Sequence, residues 1–285
     1  MRFLLQCAPF HRVTIFVTKI SCADYLDMSH PVASMHWQLP VNEKTSGGGG
    51  SLFGGAGLAA GIVALEQATD KPVIWASGQY LSLTQQPAVL DLEVLLPAVG
   101  RHVIQGRVVG HLGNKEIITI FGSCGERPNV AEGVWDKMPE APRPEDCEQL
   151  GEHHEVAAIH DHIEVRIARG MFGFSGAGTP SGDNRTLLWI RMPELHHDPG
   201  ALAIIADYMP SALGNSLGEQ IGCTSLDNTI RFANRDETEW VLCENRIDFV
   251  GNGFAYGQAH MWSESGVLLA TASQSMIVRP WQPRD

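Results

Sequence analysis

Residues 52–68 read LFGGAGLAAGIVALEQA and residues 201–213 read ALAIIADYMPSAL. Each apolar run is followed by four strand-like segments. After the first come 73–83, 88–96, 101–110 and 115–124. After the second come segments near 225–233, 239–248, 253–262 and 267–279. The chain therefore repeats a helix-then-meander unit, over 52–124 and over 199–279. Such a unit has one apolar helix and one apolar sheet face, and wrapping the sheet around the helix covers both. Two units in one chain can pair, and the seam between them is a natural ligand cleft. Pro87, Gly100 and Gly113-Asn114 punctuate the first meander, which predicts sequential antiparallel hairpins.

The first helix is unusual in its glycines. Phe53, Leu58, Ile62 and Leu65 form a stripe, while Gly54, Gly55, Gly57 and Gly61 crowd the rest. Each glycine costs a helix about 1 kcal/mol against alanine. Something must therefore approach the backbone closely, either the curved sheet or a ligand. The run SGGGGS at 46–51 is a flexible approach to this helix.

Outside the repeat the signals are weaker. Residues 126–158 are rich in Pro and Glu and read as a linker. A strand at 162–169, a Gly-rich loop at 170–183 and a strand at 185–192 open the second unit, and its helix spans 199–213. The expected organisation is an N-terminal extension over 1–34, a first unit over 35–125, the linker over 126–158 and a second unit over 159–285. Residues 1–28 connect poorly to the rest of the chain, and Met28 offers an alternative start.

Composition bounds the function. The 285 residues are 44% hydrophobic and 18% charged, which supplies a packed core. A net charge of −12 and a pI near 5.4 argue against nucleic-acid binding, which needs a basic surface. A small anionic ligand needs only local cations, and Arg101, Arg107, Arg231, Arg235 and Arg279 are available. No stretch has the roughly 18 uninterrupted apolar residues of a membrane helix. His11 and Arg12 break the apolar run at the N-terminus, and no signal-cleavage pattern comes after it, so a cytoplasmic location is expected. The six cysteines form no CxxC pair and read as reduced thiols.

Two polar residues stand out in strands. Alternation over SLDNTIRF puts Asp227, Thr229 and Arg231 on one face and Ile230 and Phe232 on the other. Gln274 shares its face with the apolar Met276 and Val278. A carboxylate or amide so placed takes a hydrogen-bond partner or a task. The histidines of HHE 153–155, HDH 160–162 and HHD 196–198 lack metal-ligand spacing and read as solvated, so no metal is expected. GFSGAGTPSGD lacks the ending of a phosphate loop and has the wrong spacing for a nucleophile elbow.

The segments SLDNTIRF, EWVLCENR and GNGFAYGQAHMWSESGVLLATASQSMIVRP resemble, in that order, the C-terminal half of the acyl-CoA thioesterase II family. LFGG followed by a small-residue helix and a meander resembles its N-terminal half, so the likeness spans roughly residues 35–280. The resemblance implies an α+β double hotdog, two antiparallel sheets each wrapped around a central helix and joined edge to edge. It implies hydrolysis of acyl-CoA to fatty acid and CoA within lipid metabolism, without cofactor or covalent intermediate. In the family an Asp, a Gln and a Ser or Thr orient the attacking water, and a helix N-terminus stabilises the oxyanion.

Carried over by motif, the Asp is Asp227 and the Gln is Gln274. Where the family has its hydroxyl this chain reads ENRID, so Asn245 or Arg246 stands in its place. Gly54, Gly55 and Arg246 are the candidate substrate contacts. Asp207, on the second helix, reads as a partner-bound structural carboxylate. In the first unit Ser77 falls opposite Asp227 and Ser123 near Gln274, so that half lacks the acid. Two other uses of the fold remain open: acyl-thioester dehydration or hydration, and non-catalytic acyl-CoA binding. A homodimer is the expected assembly.

Overall fold

The structure is a computed structural model that describes residues 18–30, 35–128, 130–151 and 157–281. The HHE motif at 153–155 and most of the N-terminal extension lie outside the described residues. The first half contributes a short helix α1 (Cys22–Tyr25), strand β1 (His36–Val41) and the long helix α2 (Gly54–Thr69). Four strands follow: β2 (Val73–Tyr80), β3 (Ala88–Val99), β4 (Val103–Leu112) and β5 (Lys115–Gly125). The linker carries the two-residue β6 (Glu148–Gln149). The second half contributes β7 (Glu164–Arg169), a small hairpin of β8 (Met171–Phe172) and β9 (Ala177–Gly178), and β10 (Arg185–Arg191). Helices α3 (Pro199–Ala206) and α4 (Ala212–Leu217) come next. Strands β11 (Ile221–Ser225), β12 (Asp227–Phe232), β13 (Val241–Gly251), β14 (Phe254–Ser263) and β15 (Leu268–Pro280) complete the chain.

All strands but β8 and β9 join one sheet, in the order β1-β3-β4-β5-β2-β12-β15-β14-β13-β10-β7-β6, with β11 also on β15. Every pairing is antiparallel. The expected edge-to-edge junction is the β2–β12 pair, with Asn228 opposite Gly78 and Thr229 opposite Ser77. Helix α2 packs on β2, β3, β4 and β5, and also on α3. The core therefore lies between the concave sheet face and a central pair of helices. Two glycines of α2 show why it carries so many. A Cβ on Gly61 would fall 2.2 Å from Ile120 Cδ1, and one on Gly55 would fall 2.9 Å from the Ile204 backbone. Gly61 admits the sheet and Gly55 admits α3.

Two expected elements differ. The helix read as 199–213 is broken: α3 ends at Ala206, a 3-10 turn spans Met209–Ser211, and α4 begins at Ala212. Pro210 is the cause, since it has no N–H to donate to the Ala206 carbonyl four residues back and its ring crowds that carbonyl. The strand read as 225–233 is two strands, with Leu226 between them. The linker is also more than a connection. It lies on the outer face of the second half, where Trp189 Nε1 donates to Pro142 O at 2.8 Å. Met138, Ala141 and Cys147 pack there against a cluster containing Trp189, Trp240 and Trp262.

Candidate active site

The polar centre of the molecule lies where α2 and α3 meet the sheet junction. Asp207 caps the C-terminal end of α3 and is only 6% exposed. The break before Pro210 places it there, at the end of an otherwise apolar helix. Its Oδ2 accepts the Gly55 N–H at 2.7 Å, from the first turn of α2. Its Oδ1 accepts from Gln274 Nε2 at 2.7 Å. Gln274 Nε2 also donates to Ser225 Oγ at 2.6 Å. Three residues far apart in sequence thus form one chain, Asp207–Gln274–Ser225.

The sheet explains how Ser225 and Gln274 share a face. On β15, Gln274 shares one face with the buried Ala272 and Met276. Ser225 pairs with Met276, whereas Thr229 pairs with Ser273. Those registers differ by one residue, so the chain bulges at Leu226 and its side chains exchange faces. Ser225 points to the helices before the bulge, and Asn228 and Ile230 do so after it.

Asp227 falls on the other face for the same reason. It aligns with Thr229, whose hydroxyl lies 2.7 Å from Ser77 Oγ on the outer side of the junction. Its Oδ1 accepts the Ser275 N–H at 2.6 Å. The expectation that Asp227 and Gln274 converge on one pocket is therefore corrected, and Asp207 is the carboxylate that meets Gln274. Arg246 is likewise removed from Gln274. It pairs with Gln258 across β13–β14, and its Nε donates to Asp248 Oδ1 at 2.6 Å. Asn245 faces inward, but its partner is Thr186 at 3.4 Å. Gly54 and Gly55 do lie at the centre. A Cβ on Gly54 would fall 2.9 Å from both Asp207 Oδ2 and Tyr80 Oη. Ser123 donates to Gln105 Oε1 at 2.7 Å within the first half.

Burial sets the electrostatics. Desolvation pushes the Asp207 carboxyl up to about 6, against the pull of the hydrogen bonds from Gln274 and the Gly55 N–H. Several buried polar atoms around it have no protein partner: Gln274 Oε1, both amide atoms of Asn228, and Tyr80 Oη. Asn228 and Gln274 are each 1% exposed. Such atoms are costly unless a ligand or water satisfies them. A buried carboxylate with a raised pKa beside unpartnered donors and acceptors is equipped for proton transfer.

The histidines do other work. His160 Nδ1 lies 2.6 Å from the Tyr208 hydroxyl, and His197 Nδ1 lies 2.9 Å from Thr238 O, so both are tied to protein groups and not simply solvated. Among the described residues no three His, Cys, Asp or Glu side chains cluster as metal ligands, and no helix is long and apolar enough to cross a membrane.

The profile of the acyl-CoA thioesterase C-terminal domain matches residues 144–278. Among solved structures, one from Novosphingobium aromaticivorans that carries a thioesterase designation is 30% identical. It aligns over 87% of this chain and 97% of its own, with a TM-score of 0.78. A hot dog fold protein from Alicyclobacillus acidocaldarius is 17% identical over 92% and 98%, with a TM-score of 0.80. The acyl-CoA thioesterase II TesB2 from Mycobacterium marinum is 21% identical over 92% and 99%, with a TM-score of 0.73. The last two share the fold. No curated protein sequence matches this chain.

Proposed function

Since this chain belongs to the acyl-CoA thioesterase II family of double-hotdog enzymes, we propose that it hydrolyses acyl-CoA with Asp207, Gln274 and Ser225 as its water-activating set. The observation that carries this reading is the buried chain of hydrogen bonds from Gly55 N–H through Asp207 and Gln274 to Ser225. Asp207 is the general base. Its raised pKa lies close to neutrality, where a base both exists as carboxylate and accepts a proton readily. Gln274 Oε1 accepts one O–H of the water, and Ser225 fixes the amide that presents it. The water oxygen bonds to the thioester carbon while Asp207 takes its proton. The resulting oxyanion collapses, the C–S bond breaks, and the proton passes to the departing CoA sulfur. Helix α2 directs the positive end of its dipole at this point.

The test is turnover of acyl-CoAs of several chain lengths, followed by the free thiol released. Thiol release that is lost in Asp207→Asn and kept in Asp227→Asn supports the assignment. No release by the wild type on any chain length would favour a binding role, and formation of an enoyl or hydroxyacyl thioester without release would favour hydration chemistry.

A further inference from the structure

The first half of the duplication supplies one side chain to this site that the water-activating set does not use. Tyr80 is the last residue of β2, at the junction, where its N–H donates to Leu226 O at 3.0 Å. It shares its strand face with the inward Ala76 and Gly78, so its ring points toward the helices. Its hydroxyl and Asp207 Oδ2 are each 2.9 Å from the position a Gly54 Cβ would occupy. The bare glycine at the start of α2 is what lets phenol and carboxylate reach the same corner. The hydroxyl is buried and has no protein partner.

We propose that Tyr80 is a further catalytic residue, whose hydroxyl donates a hydrogen bond to the thioester carbonyl oxygen and to the oxyanion formed from it. The proposal rests on the reading of Asp207 as general base. Both Asp207 oxygens already have donors, from Gly55 and Gln274, and Tyr80 bonds to neither. The phenol is therefore a donor in need of another acceptor. The unpartnered groups also come in complementary kinds. Gln274 Oε1 can only accept, which suits a water. Tyr80 Oη and the Asn228 amide can donate, which suits a carbonyl oxygen. A water and a thioester carbonyl held side by side satisfy both. Burial, then the charges of Asp207 and Asp227, push the phenol well above its ordinary value, so it keeps its proton throughout the working pH range. The oxyanion donor thus comes from one half of the duplication and the base from the other.

The experiment compares Tyr80→Phe and Asp207→Asn with the wild type, reading kcat and KM on one acyl-CoA and the melting temperature. Loss of one oxyanion donor lowers kcat by about 10²-fold. For Tyr80→Phe that loss is expected with KM nearly unchanged and with no fall in melting temperature, because the hydroxyl removed has no partner in the protein. A kcat within about two-fold of wild type would overturn the proposal, as would a rise in KM alone. A kcat loss with a melting temperature several degrees lower would make Tyr80 a packing residue and overturn it too. If Asp207→Asn is inactive while Tyr80→Phe is normal, only Tyr80 is misassigned. If Asp207→Asn stays active, the base is misassigned and this proposal falls with it.

Discussion

Asp207→Asn is expected to destroy activity and to stabilise the protein. In the fold the carboxyl is held near 6, against an ordinary value of 3.8. A group raised in this way contributes stability that is fully present below the unfolded value and is lost as pH rises through the folded one. At about 1.36 kcal/mol per pKa unit, ionised Asp207 costs the fold about 3 kcal/mol at pH 7 and above. Asparagine removes the charge and preserves the shape. Its carbonyl oxygen still accepts the Gly55 N–H. Its NH2 would oppose Gln274 Nε2, but rotation of the Gln274 amide turns the unpartnered Oε1 toward it, and Ser225 then donates to that same oxygen. The variant should therefore gain up to about 3 kcal/mol at pH 8, or about 5 °C in melting temperature for a chain of this length. The gain should shrink as pH falls through 6 and vanish below pH 4. Turnover should drop by about 10²–10⁴-fold, the usual contribution of a general base. Denaturant titrations at pH 4 and pH 8, with thiol release on acyl-CoA, check both halves. A variant that is less stable than wild type at pH 8, or that turns over normally, would refute the reasoning.

With Asp207 as the proposed general base, wild-type kcat should rise with pH through about 6 and then level; a pH-rate profile that is flat between 5 and 7 would contradict this. Gln274→Ala leaves Asp207 Oδ1 without its side-chain donor, and a loss of roughly 10- to 100-fold in kcat is expected, corresponding to about 1.5–3 kcal/mol for a hydrogen bond to a charged group. Asp227→Asn and Ser77→Ala lie on the outer face and should keep kcat within about two-fold, while Asp227→Asn retains an oxygen for the Ser275 N–H and should cost less than about 1 kcal/mol in a denaturant titration. Gly55→Ala drives a Cβ to 2.9 Å from Ile204 Cα and 3.0 Å from Ala203 O, both backbone atoms, so a loss of about 1–3 kcal/mol is expected together with lost activity, read by melting and thiol release on the same sample.

The repeated helix and meander were legible because they are periodic. Alternation over Leu268–Pro280 survives in the buried face of β15, and the glycines of α2 announce a backbone under close approach. Gln274 was legible for the same reason, as an amide among apolar neighbours in an unbroken strand. Asp207 was visible as a carboxylate in an apolar helix, and Pro210 three residues later was the available signal that the helix breaks beside it. Ser225 gave no such signal. Alternation extended through Leu226 assigns Ser225 and Asp227 to one face, and only the registers Ser225–Met276 and Thr229–Ser273 reveal that the face changes between them.

The site therefore forms where the regular pattern stops. A helix interrupted at Pro210 ends on Asp207, and a strand interrupted at Leu226 ends on Ser225. An unbroken helix would carry the apolar run past Asp207 without a capping position for the carboxylate. An unbroken strand would turn either Ser225 or Asn228 outward, and both face the centre here. Only the two irregularities together bring a carboxylate, a hydroxyl and an amide to the N-terminus of α2, against Gln274 on the continuous strand β15 that fixes their positions. The first half keeps an unbroken helix from Gly54 to Thr69, and β2 shifts register only between Val73 and Trp75, at the end remote from Tyr80, so what this half brings to the centre is the Gly55 N–H and Tyr80. Unequal use of the two halves is then a consequence of where each repeat departs from its own period, more than of which polar residues each happens to contain.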